Sequence, residues 1–436
     1  MNRSSAANIS EAIERDISEG RLEPGAKLVP VRELAQQLGV SPTTVAAAYR
    51  RLRELGVIVG KGRQGSIVAP RVESQISQVL DVPAGAIDAM RGSPDPRHLP
   101  SLEAAFASAL KFPQASYGDG LVEDTLAIAA RQFFEDDGLQ ATNLVVTSGS
   151  MDAIERVIVA SGLRRGARIG VEDPGHIPVH QLARAAGLEL VPLAVDAEGI
   201  VPSSLDEALH VGLDALVVTP RCQNPTGAAF SKQRAEALSR RLAPHSELLL
   251  IHDDHAGLIS GVDYHPLVAP GDRHATVRSV GKSLGPDLRL ALVISDRQTH
   301  DRVSLQFSNG PGWVSHLLQR AVAYLLTDAA TLRLVREAAD SYTRRRGLMI
   351  EELRRQGLHA TGVSGLSVWL PVVDEQVAVE SARAEGFAIR ATDSYRINSG
   401  PAVRLTVSNL DDGQITGLAK ALAAVSTAGT AHSPTM

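Results

Sequence analysis

Cysteine is nearly absent from this 436-residue chain: a single residue, Cys222, excludes a disulfide framework and any cysteine-built metal site. That scarcity fits a reducing cytoplasm. Aromatic residues make up only 3%, so a site that stacks on a flat ring draws on few residues or on a histidine. No apolar run approaches the roughly 18 residues of a membrane span, and the opening MNRSSAANISEAIERD is too polar for a secretory signal. A cytoplasmic protein with no membrane partner and no metal is expected. What is present is the balance of a soluble globular protein with a large core, 44% hydrophobic and 21% charged. At about 150 residues per domain, two or three domains are expected.

The net charge of −5 is unevenly spread, because residues 1–70 hold ten Lys/Arg against seven Asp/Glu. A nucleic-acid-binding head on an acidic body has this asymmetry, as does a solvated helix face. Within the head, Ile9, Ile13 and Ile17 mark one short helix. A second runs from Val31 with Leu34, Ala35 and Leu38 inward and Gly39 as its stop. Ser41-Pro42 supplies an N-cap oxygen and a proline at the first helical position of a third, which buries Val45, Ala48, Tyr49 and Leu52. Val57–Val59 and Ser66–Val68 flank a glycine-rich basic turn and read as a hairpin. This is the pattern of a winged helix-turn-helix whose third helix, Ser41–Leu55, enters the major groove of DNA. Thr43 and Thr44 then face bases or phosphates, with Arg32, Arg50, Lys61 and Arg63 on the backbone. A three-helix protein-interaction module is the alternative reading of the same pattern.

Residues 71–86 lose periodicity and read as a linker, and 426–436 as a disordered tail. Between them apolar runs alternate with amphipathic stretches. Strands are expected at Leu144–Thr147, Arg168–Val171, Leu188–Leu193, Ala215–Thr219, Leu248–Ile251, Val277–Val280 and Leu290–Ile294, a mostly parallel α/β sheet. Several residues on this frame suit a phosphorylated, electron-withdrawing aromatic aldehyde. Lys282, in Ser-Val-Gly-Lys-Ser, can condense with an aldehyde if its pKa is depressed. Arg289 offers a fixed fork for a phosphate. Gly149, Ser150 and Met151 open a helix whose free N–H groups form an anion seat. Asp253 can hold a pyridine nitrogen protonated, and Asn224 in Asn-Pro-Thr-Gly can bond a ring hydroxyl.

The head, through Gly20-Arg21-Leu22, Pro24-Gly25, Arg32-Glu33-Leu34-Ala35 and Ser41 to Val45, resembles the GntR-type winged helix of bacterial regulators over about residues 8–70. It departs from that pattern at Pro42 and in Leu28-Val29-Pro30-Val31, so the operator sequence does not carry over. The order and spacing of the body's motifs resemble a fold-type I, class I/II aminotransferase domain over 87–425. The resemblance implies a mostly parallel sheet with helices on both faces, a smaller C-terminal α/β subdomain and pyridoxal 5′-phosphate as cofactor. It also implies an imine at Lys282, Asp253 on the pyridinium, Asn224 on the ring hydroxyl, and Gly149, Ser150, Ser279 and Arg289 on the phosphate. Tyr117 then reaches the phosphate of a neighbouring subunit, and Arg404 clamps a substrate or effector carboxylate. His176 and His255 stand where that family commonly has a stacking aromatic and a tyrosine.

The combination resembles the MocR/GabR-type transcription regulators, within them those that control vitamin B6 metabolism near a pyridoxal kinase gene. It implies a domain-swapped, head-to-tail homodimer that binds double-stranded operator DNA and responds to the cofactor or to an amine or amino-acid effector. The alternative is a catalytically active aminotransferase with a fused DNA-binding head. Intact Lys282, Asp253 and Arg289 argue against a regulator that has lost the cofactor.

Overall fold

The computed structural model describes residues 5–23, 25–54, 57–60, 66–68 and 82–429. The chain divides into two compact units: one ends before Val82, and the other runs from Val82 onward apart from two short turns.

The first unit comprises α1 (Ala6–Ser18), α2 (Val31–Leu38), α3 (Pro42–Glu54) and the antiparallel pair β1 (Ile58–Gly60) and β2 (Ser66–Val68). Local chemistry sets its boundaries. The Ser5 hydroxyl accepts from the Asn8 N–H at 3.2 Å to start α1. Gly39, left-handed at φ 65°, ends α2. Ser41 Oγ accepts from the Thr44 N–H at 3.1 Å to start α3. Ile9, Ile13, Ala35, Val45, Ala48, Tyr49, Leu52 and Ile58 form its core, with Ile17, Leu34 and Leu38 packed against it. The Tyr49 hydroxyl, the polar tip of that core, donates to the Val29 carbonyl at 2.6 Å. The expected three helices and hairpin are present, the first strand shifted by one residue. Lys61, Gly62, Arg63 and Gly65, most of the expected linker and residues 430–436 lie outside the described residues.

The second unit begins with β3 (Ile87–Asp88), α4 (Glu103–Ala109) and α5 (Asp124–Glu135). There follow β4 (Val145–Thr147), α6 (Ser150–Ser161), β5 (Arg168–Asp173), α7 (Ile177–Ala185), β6 (Glu189–Asp196), β7 (Gly199–Ile200) and α8 (Pro202–Val211). Next come β8 (Ala215–Val218), α9 (Lys232–Leu242), β9 (Leu249–Asp254), β10 (His274–Ser279) and β11 (Ala291–Ser295). Helices α10 (Arg297–Ser308), α11 (His316–Thr327) and α12 (Ala329–Arg355) lead into β12 (Ser367–Pro371), α13 (Glu375–Ala384), β13 (Phe387–Ala388), β14 (Arg390–Ala391), β15 (Ala402–Thr406) and α14 (Asp412–Gly429).

Eight strands form one sheet in the order β4-β11-β10-β9-β8-β5-β6-β7. Strand β11 runs antiparallel to both neighbours and β7 antiparallel to β6, while the other neighbouring pairs are parallel. The central strands are apolar on both faces because helices cover both. Leu248 and Leu250 pack with Leu205, Leu238 and Leu242 of α8 and α9, while Leu249 and Ile251 alternate to the opposite face. The seven expected strands coincide with β4, β5, β6, β8, β9, β10 and β11. A smaller subdomain carries the antiparallel sheet β12-β15-β14, and β3 pairs in parallel with its β13. One expectation needs correction. Residues 426–429 belong to α14 rather than to a disordered tail, because Ala and Leu sustain helix through Leu418–Ala424 and beyond. The short strands of the subdomain, two to five residues each, carry too few residues for a period to show.

One charged cluster ties α5 to the sheet. Arg278 of β10 is wholly buried, its Nε donating to Asp254 Oδ2 at 2.9 Å and its terminal nitrogens to Asp137 and to the Phe133 carbonyl at 2.5 Å. Arg221 bridges the same two carboxylates, at 2.9 Å to Asp254 and 2.7 Å to Asp137. Phe133, Phe134 and Tyr264 wall the Arg278 guanidinium at 4.8–5.0 Å. Two positive and two negative groups satisfy one another in a largely buried site, with Asp137 at its partly exposed edge, so removing Arg278 leaves buried negative charge under-compensated. Arg278→Ala is expected to destabilise the protein by about 3–5 kcal/mol in urea unfolding. A loss below about 1 kcal/mol would contradict this account of the cluster.

Candidate cofactor site and nucleic-acid face

Because β11 opposes both β4 and β10, strands β4, β5, β8, β9 and β10 all point the same way, and their carboxyl ends open on one crevice. Each end delivers an expected residue: Gly149 and Ser150 after β4, His176 after β5, Asn224 after β8, Asp253 within β9 and His255 just beyond it, Ser279 and Lys282 at the end of β10. Arg404 enters from β15 of the subdomain. The cavity among them is lined by Gly92, Asn224, His255, Lys282 and Arg404, with Cys222, Gln223, Ser364 and Ser367.

An anion seat occupies one side. Gly149 caps α6 at φ 100°, and the first N–H groups of that helix, those of Ser150 and Met151 included, have no intrahelical acceptor. A Cβ at Gly149 would lie 2.9 Å from an Arg289 terminal nitrogen, so glycine is what lets the guanidinium approach the helix start. Arg289 is itself left-handed, φ 37°, and reaches the Ser148 carbonyl at 3.4 Å. Ser279 Oγ accepts from the Gly281 N–H at 3.2 Å, beside Lys282.

The other side suits a flat, basic ring. Asp253 is buried, its Oδ1 lacks a partner and its Oδ2 stands 3.6 Å from His255 Nδ1. An unpaired buried carboxylate oxygen is costly, which fits a protonated ring nitrogen as its counterpart. The His176 and His255 rings lie nearly parallel, 12° apart in plane with centroids 6.3 Å apart. His176 Nδ1 accepts from Asn224 Nδ2 at 2.9 Å. Burial, aided by the charges of His255, Lys282 and Arg404, pushes His176 down to about 3, so it is neutral at ordinary pH.

Two cations close the site. Lys282 Nζ donates to the Gly92 carbonyl. Burial, with the charge of Arg404, brings its pKa down to about 8, within reach of the free amine that attacks an aldehyde. Arg404 is buried: one terminal nitrogen donates to Asn224 Oδ1 at 3.0 Å and to the Tyr395 hydroxyl at 2.7 Å, the other to the Met90 carbonyl, and Nε has no partner. Tyr117 is 99% exposed, edge-on to Trp313, and lies apart from the cavity lining.

In the first unit Arg32, Ser41, Thr43 and Arg50 are exposed and Thr44 is half-buried. Ser41 Oγ lies 2.6 Å from the Thr43 hydroxyl and 2.8 Å from that of Thr44, so the three form one capping cluster at the start of α3. Lys61 and Arg63 fall outside the described residues. No helix among the described residues is long and apolar enough to cross a membrane.

Comparison with known proteins also divides the chain into two parts. Residues 5–68 match the model of bacterial regulatory proteins of the gntR family, and 69–422 that of aminotransferase class I and II. The chain is 36% identical over 417 residues to the vitamin B6 salvage pathway transcriptional repressor PtsJ of Salmonella typhimurium, spanning 95% of this chain and 96% of that one. It is 29% identical over 371 residues to the pyridoxine biosynthesis transcriptional regulator PdxR of Corynebacterium glutamicum, covering 79% and 78%. Among solved structures, the kynurenine aminotransferase of Pyrococcus horikoshii matches 82% of this chain and 96% of its own at a TM-score of 0.73 and 19% identity. That likeness is one of fold.

Several residues of the site carry no local sequence signal: Gly92, Tyr395, Gln223 and Glu172 join it only through the fold. Glu172 lies in a Glu-Asp-Pro-Gly stretch beside His176, but nothing in its neighbours marks it as buried. Its oxygens accept from the Thr219 N–H at 2.9 Å and from Gln223 Nε2 at 3.1 Å, and Gln223 also donates to the Pro174 carbonyl at 2.8 Å. Glu172 thereby ties the loop bearing His176 to the loop bearing Asn224. Burial pushes its pKa up to about 7, with the charge of Asp253 acting in the same direction against those hydrogen bonds. The folded protein thus retains a proton that the unfolded chain releases between pH 4.5 and about 7, and ionisation there costs stability. Glu172→Gln removes this cost. Its stability relative to wild type is expected to rise with pH across that window by about 3 kcal/mol and to level above it. A difference that stays flat with pH in denaturant melts would contradict the assignment.

Proposed function

The chain belongs to the aminotransferase class I and II family, with a gntR-family regulatory domain ahead of the enzyme-like body, and from that premise we propose that it is a cytoplasmic transcription regulator whose DNA affinity is set by pyridoxal 5′-phosphate held at Lys282. The observation that carries this reading is a helix-turn-helix unit joined, in one chain, to a complete set of groups for a phosphorylated aromatic aldehyde. Lys282 supplies the amine, Asp253 the counter-charge for the ring nitrogen, and Asn224 a partner for the ring hydroxyl. The start of α6, with Gly149, Ser150, Met151, Ser279 and Arg289, holds the phosphate. When bound, the cofactor supplies an aldehyde for covalent attachment and an electron-withdrawing ring. Exposed Tyr117 supports a homodimer in which it reaches the partner subunit's site, the DNA-binding units being exchanged head to tail.

The relatives named for vitamin B6 salvage and pyridoxine biosynthesis support genes of vitamin B6 metabolism, a pyridoxal kinase among them, as the regulated set. His176 and His255 flank the ring seat with groups that bond differently from the tyrosine and stacking aromatic common in the family, an arrangement suited to retention more than to rapid turnover. A second reading has its own observation. The buried, unpartnered Nε of Arg404 suits a carboxylate, so an amino acid is a co-effector, or a substrate if the body is a working aminotransferase. Release of a keto acid from amino-acid donors distinguishes the two.

A duplex enriched from a random-sequence pool by the full-length protein provides the test. Its affinity is expected to differ about 5–150-fold between protein with and without pyridoxal 5′-phosphate. Equal affinities would remove the cofactor as effector. Substituting both Arg32 and Arg50 with alanine is expected to weaken binding to all duplexes. It should also flatten the slope of log affinity against log salt by about 2, one counterion per phosphate contact. An unchanged slope would place both arginines off the DNA.

A further inference from the structure

The stretch that follows β3 is held in an uneven way. At its start the Ile87 and Ala89 N–H groups donate to the Gly386 and Ala388 carbonyls at 2.8 and 2.9 Å, and the Thr406 N–H donates to the Ala89 carbonyl at 2.8 Å. At its end the Ser408 hydroxyl donates to the Ser93 carbonyl at 2.6 Å, and Arg345 grips Asp95 at 3.1 Å. Between these anchors the carbonyls of Met90 and Gly92 are taken by the site's own two cations, Arg404 and Lys282. Gly92 faces both: a Cβ there would lie 3.7 Å from each Arg404 terminal nitrogen and 3.8 Å from Lys282 Nζ. In chain order this is the stretch that residues 71–86 reach from the helix-turn-helix unit.

We propose that Ala89–Ser93 reads the covalent state of Lys282 and passes it to the chain leading to the DNA-binding unit, an inference that rests on the function proposed above. The chemistry is a change in donor count. An ammonium Nζ carries three N–H donors, one of which serves the Gly92 carbonyl. Condensation with an aldehyde forms a C=N bond, expels one water containing the aldehyde oxygen, and leaves at most one proton on that nitrogen. The new bond fixes the direction in which any remaining proton points. The charge-assisted hydrogen bond to Gly92 is lost, and the stretch keeps its hold through Arg404, through its two ends and through Asp88 Oδ1, which accepts from the Met90 and Arg91 N–H groups at 2.9 Å.

Hydrogen exchange on the full-length protein tests this. Loading with pyridoxal 5′-phosphate is expected to speed amide exchange across residues 87–95 about tenfold, the effect of losing one hydrogen bond to a charged group. Lys282→Ala without cofactor is expected to show the same faster exchange. Lys282→Arg retains donors for Gly92 but forms no imine, so adding cofactor is expected to leave its exchange unchanged. If a borohydride-reducible linkage forms in the wild type while exchange at 87–95 stays the same, the proposal is overturned and the regulator reading stands. Slow exchange in Lys282→Ala overturns it equally. Absence of any reducible linkage overturns both.

Discussion

Two cations, Lys282 and Arg404, share one poorly solvated cavity, and much of the surrounding structure answers their repulsion. Among the described residues, neither faces a carboxylate at hydrogen-bonding distance. Neutral oxygens stand in instead: the carbonyls of Met90 and Gly92, the amide of Asn224 and the hydroxyl of Tyr395. Burial, with the charge of Arg404 beside it, is why the lysine amine loses its proton more readily than in water.

A second charged cluster nearby shows what full compensation looks like. Arg221 and Arg278 meet Asp137 and Asp254 with every close pair in contact, and aromatic rings exclude water from them. Asp254 is held ionised by its two arginines, while its neighbour Asp253 points one oxygen at nothing. Adjacent residues of one strand alternate between faces, so one carboxylate is committed to the fold and the other remains for a ligand. The site therefore sits on a rigid frame: the strand that presents Asp253 is fixed one residue further on.

The sequence carried the parts of this arrangement that depend on local pattern. Buried parallel strands are continuous apolar runs, so β4, β5, β6, β8, β9, β10 and β11 stood out, and caps and glycine stops located the three helices of the first unit. Lys282, Asp253, Asn224 and Gly149 were legible because each sits in a short motif at a strand end. The rest depended on contacts between residues far apart. Gly92 lies 190 positions from Lys282, and Glu172 is 51 from Gln223, with no periodicity to link them. Arg278 reads as an ordinary polar residue on a strand until Asp254 and Asp137 are seen beside it. The short strands β12 to β15 were hidden for a different reason, since two to five residues cannot display a period.

The account makes occupancy of one unit and DNA binding by the other a single coupled equilibrium, and such coupling acts equally in both directions. Titrating pyridoxal 5′-phosphate into the full-length protein, with and without saturating selected duplex, measures that reciprocity directly. The account predicts that duplex changes cofactor affinity by the same factor by which cofactor changes duplex affinity. Identical cofactor titrations with and without the duplex would contradict it.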